Sequence, residues 1–232
     1  MRQTIFNPLA AAAGLAVAGA LLACTPVAAG ASANLVPAPR VDIPVAAGAP
    51  QVAVLSGGCF WGVQGVFAHV KGVTRVVSGY AGGKAATAHY DVVGTGLTGH
   101  AESVRVTYDP AQISYGEILR IFFSVATDPT QRDHQFPDEG PQYRGEIFYL
   151  TEAQKNVAVR YIAQLDAAKV YRAPIATRVD PLSGFYVAEG YHQDYLTLHP
   201  EQRYIATYDL PKVAALKALF PARYRARAVT VN

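Results

Sequence analysis

The sequence predicts an α+β fold: an open mixed sheet with helices packed on it, arranged as a ferredoxin-like two-layer core. Three observations carry that expectation. Runs with strand character and runs with helical period are interleaved without regular βαβ alternation. The segment Ser103-Val104-Arg105-Val106-Thr107-Tyr108 alternates cleanly at period two. Two capping-box patterns, Ser114-Tyr115-Gly116-Glu117 and Thr151-Glu152-Ala153-Gln154, each open a segment with apolar residues at helical spacing.

Composition sets the outer limits. The chain has 232 residues, is 51% hydrophobic and 16% charged, and carries a formal net charge of +3. That suits one domain able to bury a substantial core, with extensions. So mild a balance argues against nucleic acid as the main partner, which would favour a concentrated basic face. The two cysteines, Cys24 and Cys59, form no CxxC and no Cys/His ligand spacing, so a metal site is not expected.

Residues 1–24 read as a secretory signal. Arg2 gives a basic start, and the apolar run 9–22 is too short and too weakly flanked for a transmembrane helix. It ends in Leu21-Leu22-Ala23-Cys24, which resembles a bacterial lipobox and makes Cys24 the expected lipidation site. The alternative is ordinary cleavage after Ala31-Ser32-Ala33. Either way the mature chain is exported, periplasmic or lipid-anchored in a bacterial envelope, and Cys24 is no free thiol in the fold. Residues 25–50, rich in Ala, Pro and Gly, are expected to form an extended tether. A globular domain over 51–222 follows, then a frayed tail, 223–232.

The domain opens on Val52-Ala53-Val54-Leu55, a buried strand, followed by Gly57-Gly58-Cys59-Phe60-Trp61-Gly62. Glycines, a thiol and two aromatics in that order predict a tight turn and a helix beginning near Phe60. A cysteine at a helix N-terminus is expected to favour its thiolate; the competing reading is a buried structural cysteine. A second strand is predicted over 73–80, stopped by Gly82-Gly83. A polar loop, 84–97, carries His89-Tyr90-Asp91. Glu102 falls in phase with Val104, Val106 and Tyr108, so its carboxyl group faces the core side, where desolvation raises its pKa. Asp109-Pro110 ends that strand. Tyr115, Ile118, Leu119 and Phe122 mark the buried face of the next helix. The long loop 127–142 delivers Tyr143-Arg144 into a strand over 145–150. A helix to about residue 169, with Ala158, Tyr161, Ile162 and Leu165 inward, a strand over 174–179 and a short helix after Leu210 complete the expected core.

Four motifs stand in sequence: GGCFWG at 57–62, SGYAGG at 78–83, GHAESVRVTYDP at 99–110 and GPQYRGEIFYL at 140–150. In this order and spacing, with HQDYL at 192–196, they resemble the A class of peptide methionine sulfoxide reductases. The resemblance runs from about residue 52 to 210. It implies reduction of methionine (S)-sulfoxide, free or in proteins, with Cys59 as nucleophile and Glu102 as the acid. It further implies that Tyr90 and Tyr143 donate hydrogen bonds to the sulfoxide oxygen, that Phe60 and Trp61 form the methyl pocket, and that Asp138 is a polar neighbour. The expected partners are oxidised proteins or peptides and an external thiol reductant. No bound cofactor, no metal, no nucleic acid and no membrane contact beyond a lipid anchor are expected of what is taken to be a monomer. Many relatives carry further cysteines near the C-terminus; here none follows Cys59. The Cys59 sulfenic acid is therefore expected to await an external thiol. Two other readings remain open at this point: a Cys/His acyl hydrolase with His100 or His192 as base, and a non-catalytic envelope lipoprotein.

Overall fold

The computed structural model describes residue 1 and residues 33–44 and 48–231. In chain order the domain runs β1 (Gln51–Gly57), α1 (Phe60–Ala68), β2 (Val73–Ala81), α2 (Tyr90–Val93), β3 (Ala101–Tyr108) and α3 (Tyr115–Ile121). A small hairpin follows, β4 (His134–Gln135) and β5 (Asp138–Glu139), then β6 (Gly145–Tyr149) and α4 (Glu152–Ala167). The last elements are β7 (Arg178–Pro181), β8 (Phe185–Val187), α5 (Tyr195–Leu198) and α6 (Leu210–Leu219).

Among the described residues, six strands form one sheet in the order β7-β6-β1-β3-β2-β8. Its pairs are antiparallel except β6 with β7. The inner order β6-β1-β3-β2 is compatible with the ferredoxin-like arrangement expected. Strand β1 is central, which explains its unbroken apolar run: Ala53 and Leu55 join the large helix-side core, whereas Val54 joins a smaller cluster with Ala81, Ala101 and Phe148 on the opposite face. On β3 the predicted alternation holds, with Val104, Val106 and Tyr108 on the helix side. Helix α1 is buried almost all round, because the sheet lies on one side and α5, α6 and the turn 205–209 on the other. Both capping boxes form their first half: the Ser114 hydroxyl accepts from Glu117 N and the Thr151 hydroxyl from Gln154 N.

Two sequence expectations need correction at the ends of the domain. The extended tether expected over 25–50 is, in its described part 33–44, docked on α3 and α4. Val36 is fully buried in the core. Its carbonyl accepts from Arg120 Nε at 2.9 Å, and Tyr161 Oη donates to Pro37 O at 2.6 Å. Gly116 leaves room for the segment: a Cβ there would meet Asp42 Cγ at 2.6 Å and Pro39 Cγ at 2.7 Å. The tail expected to fray over 223–232 is instead held as far as residue 231. Arg223 clasps Glu117 with both Nε and Nη2, at 2.7 and 2.5 Å. Arg225 N and Val229 N donate to His69 O and Ala68 O, at 2.8 and 2.9 Å, so the tail satisfies carbonyls that the end of α1 would otherwise leave open. Composition conceals both dockings, because neither segment has a period.

Smaller differences have local causes. The strand expected over 174–179 forms four residues later, since Ile175 N donates to Asp166 and Ala176 N to Pro129 O rather than to the sheet. Strand β8, which the sequence reading missed, pairs with the end of β2. The loop 84–97 contains a single 3₁₀ turn and α2.

Because residues 33–44 belong to the fold, Val36→Ala lowers its stability by about 2 kcal/mol, the loss for two buried methyl groups with some residual cavity. Urea unfolding of the chain measures this, and an unchanged midpoint would show that the segment does not dock.

Candidate active site

The site is assembled where β1 turns into α1. Gly58 has φ +95°, and a Cβ there would lie 2.6 Å from Gln135 Cγ, so the turn is closed to side chains. Cys59 is the N-cap of α1 and 8% exposed. The next amide, Phe60 N, donates to Glu102 Oε2 at 3.0 Å, joining the nucleophile's turn to β3. Glu102 is 4% exposed and stands opposite Tyr80 in the register of β2 and β3. Burial pushes its carboxyl up to about 8, against the pull of the Phe60 amide and with a further push from Asp138 and Asp209. The sequence expectation of a core-facing acid is met.

The thiolate expectation is not. Burial holds the Cys59 thiol well above its ordinary pKa, and the charges of Glu102 and Asp209 add to that effect. A backbone N–H at Trp61 pulls the other way but does not prevail. The helix terminus alone is a weaker influence than a dry site with carboxyl groups around it.

The other predicted residues arrive from separate elements. Tyr90 begins α2 and is placed by Glu189, whose Oε1 accepts from Tyr90 N at 3.0 Å and whose Oε2 accepts from Tyr80 Oη at 2.8 Å. Tyr143 ends the 3₁₀ turn Pro141–Tyr143, anchored by its neighbour Arg144. That guanidinium binds Glu146 at 2.5 Å and the carbonyls of Pro141, His100 and Gly99 at 2.8, 3.1 and 3.0 Å. Burial pushes Tyr90 up to about 12 and moves Tyr143 further in the same direction, with Glu102 and Cys59 contributing to both. Both are therefore phenols at neutral pH, able to donate. Asp138, raised by burial, lies on the small hairpin and accepts from Tyr204 Oη.

The aromatic wall is built around Trp61. Its ring stacks on Tyr195 at 3.9 Å, meets Tyr204 edge-on at 6.1 Å, and its Nε1 donates to His192 Nδ1 at 3.1 Å. Phe60 is fully buried and packs on His192 and Tyr80. His192 is thus committed through Nδ1 to Trp61, while His100 uses Nε2 to donate to Lys84 O. Burial lowers the pKa of both. Neither geometry offers a base to Cys59, which removes support for the acyl hydrolase reading.

Sequence reasoning missed Tyr204, Glu189, Gln135 and Asp209. Tyr204 and Asp209 follow no motif. Cys24, the expected lipidation site, lies outside the described residues. Among the described residues, no group of three or more His, Cys, Asp or Glu is placed to hold a metal ion.

An α+β domain that presents one buried cysteine beside a protonated carboxylic acid, two phenols and an aromatic wall is equipped for reductive chemistry on a small polar group bearing an apolar neighbour. A family model for peptide methionine sulfoxide reductase matches residues 51–223. Peptide methionine sulfoxide reductase MsrA 2 of Mesorhizobium japonicum is 56% identical over 186 residues, covering 80% of this chain and 95% of its own. The enzyme named MsrA in Chromobacterium violaceum is 46% identical, over 72% of this chain and 95% of its own. Among solved structures, Mxr1 of Saccharomyces cerevisiae in reduced form aligns with TM-score 0.61 and 30% identity, covering 68% of this chain and 91% of that one. Methionine sulfoxide reductase A of Corynebacterium diphtheriae aligns with TM-score 0.55 and 32% identity, covering 65% and 76%. The chain belongs to the peptide methionine sulfoxide reductase family, and its activity is the thiol-dependent reduction of methionine sulfoxide.

Glu102 makes the fold pH-sensitive in a defined direction. Its folded value, about 8, lies above that of a free glutamate, so the folded chain keeps a proton that the unfolded chain releases. The stability this contributes is fully present below about pH 4 and is lost as pH rises toward 8. The unfolding free energy of wild type minus that of Glu102→Gln should therefore fall across this window, at up to ~1.4 kcal/mol per pH unit. A difference that stays flat with pH would mean that the carboxyl group is solvated in the folded state.

Proposed function

We propose that the protein reduces the S epimer of methionine sulfoxide through a single-cysteine cycle in which Cys59 is the nucleophile and Glu102 the acid. The observation that carries this reading is the Phe60–Glu102 hydrogen bond, which ties a protonated acid to the turn bearing the thiol. Tyr90 and Tyr143 donate to the sulfoxide oxygen, while Phe60 and Trp61 receive the S-methyl group, with Asp138 as their polar neighbour. A pocket of that kind discriminates by ~1–3 kcal/mol per apolar group gained or lost.

The electron balance is simple. The Cys59 sulfur attacks the sulfoxide sulfur as Glu102 gives its proton to the oxygen, and the carboxylate left behind recovers the thiol proton. The S–S bond formed by that attack and the substrate's S–O bond both break as the oxygen passes to Cys59, and methionine leaves two electrons richer. Cys59 is now a sulfenic acid. One external thiol condenses with it, forming a mixed disulfide and water; a second releases the Cys59 thiol and departs as a disulfide. Cys59 is the free cysteine among the described residues, so no partner within them competes for the sulfenic acid. The N-terminal pattern ending at Cys24 supports an exported enzyme, lipid-anchored or cleaved into the periplasm, that repairs oxidised envelope proteins.

The test uses resolved sulfoxide epimers with reductant-free protein. About one methionine per chain is expected from the S epimer and none from the R epimer, leaving one added oxygen on the Cys59 peptide that a sulfenate reagent traps. Equal yields from both epimers would overturn the stereochemical assignment; an intramolecular disulfide without trappable sulfenate would overturn the single-cysteine cycle. Dithiothreitol restores turnover.

In Glu102→Gln the amide cannot supply the proton, and general acid catalysis is typically worth ~10²–10⁴-fold. Single-turnover release of methionine at neutral pH is expected to slow by that order. A rate within a few-fold of wild type would take Glu102 out of the proton-transfer step.

A further inference from the structure

The first turn of α1 has a neighbour that the cycle above does not use. Asp209 is 0% exposed, and its Oδ1 accepts from Lys212 Nζ at 3.1 Å. The pair is packed on α1 at Gly62, where a Cβ would lie 2.1 Å from Asp209 Oδ1 and 3.0 Å from Lys212 Nζ. The other oxygen, Oδ2, is buried without a hydrogen-bond partner. A buried ion pair whose carboxylate is only half satisfied is poor value for stability, because an apolar pair of similar shape serves as well or better. Its position against Gly62, three residues after the nucleophile on α1, gives it another use.

The charged and titratable groups that act on Cys59 come from every side. Glu102 faces it from β3, Asp138 from the small hairpin and Asp209 from the turn leading into α6. The phenols of Tyr90, Tyr143 and Tyr204 sense its charge in turn. Lys212 is a cation beside these groups, and it acts on both Asp209 and Asp138.

We propose that Asp209 and Lys212 are a positioning pair for Cys59: the carboxylate cancels the lysine charge at the first turn of α1, and so keeps the nucleophile a thiol until sulfoxide binds. This rests on Cys59 being the nucleophile. The thiolate is the form that adventitious oxidants attack, so an enzyme working where oxidants abound is spared waste of its cysteine when the site is empty.

The test follows the rate of Cys59 alkylation by iodoacetamide against pH in the full chain, without sulfoxide, read as intact mass. Asp209→Asn keeps the shape, removes the carboxylate and leaves the lysine uncancelled. Its midpoint is expected to fall by about one pH unit, with alkylation at pH 7.5 about tenfold faster. Lys212→Gln is expected to shift the midpoint upward, Lys212→Arg to leave it in place, and the double variant Asp209→Asn/Lys212→Gln to return it toward wild type. Midpoints that coincide for wild type, Asp209→Asn and Lys212→Gln, or that move in one direction for both single variants, overturn the proposal. Should Asp209→Asn fail to fold, the comparison of Lys212→Gln with Lys212→Arg decides it alone: equal midpoints refute the pairing. Methionine yield from wild type tests the nucleophile assignment separately, since alkylation does not depend on sulfoxide chemistry.

Discussion

The hydrogen bond from Phe60 N to the Glu102 carboxyl group is the contact on which the site depends. It joins the turn after β1 to the start of β3, adjacent strands in the sheet, and it fixes the acid beneath the first turn of α1. The bond also has a chemical consequence. A carboxyl group in a dry site keeps its proton at neutral pH, and an amide donor occupies the oxygen that does not carry it. Removing burial would make Glu102 an ordinary surface carboxylate. Removing the amide would leave a buried acceptor unsatisfied. The two conditions together produce an acid held ready at neutral pH.

Around that bond, the segments least regular in sequence supply the walls. The hairpin β4–β5 and the turn 205–209 are braced against each other by Tyr204 on Asp138 and by Phe136 edge-on to Tyr208. The segment after Glu189 is held by paired glutamines. Gln193 Nε2 donates to Ser78 O and Ala188 O at 2.9 and 3.0 Å, while Gln64 Oε1 accepts from Asp194 N at 2.9 Å. These side chains do for loops what a ladder of backbone bonds does for strands. The C-terminal region contributes an aromatic, a carboxylate and a lysine.

What the sequence made legible is what has a period or a motif. The alternation of β3 placed Glu102 on the core side, and the turn from β1 into α1 was readable from its glycines. Tyr90, Tyr143 and Asp138 could be assigned only through resemblance, because a tyrosine in a polar loop carries no signal of its own. Tyr204, Asp209 and the docked segments 33–44 and 223–231 were not legible, since their partners are distant in the chain and their spacing follows no rule. The protonated Cys59 was misjudged for a related reason. A helix N-terminus is visible in sequence, whereas the carboxyl groups that outweigh it converge from β3, β5 and the approach to α6.

The docking of the C-terminal tail bears on how the molecule comes into being. Helix α1 carries the chemistry at one end, and at the other its carbonyls are closed by Arg225 and Val229, residues that lie far along the chain from it. A ribosome that has released the chain only as far as α5 holds strands, acid and thiol, but neither the tail that closes α1 nor the Asp209–Lys212 pair that rests on it. The closing of α1 therefore waits on residues made long after the helix itself, and contacts of such long sequence separation are slow to form. Until then the nascent protein has its nucleophile without the fittings that govern it.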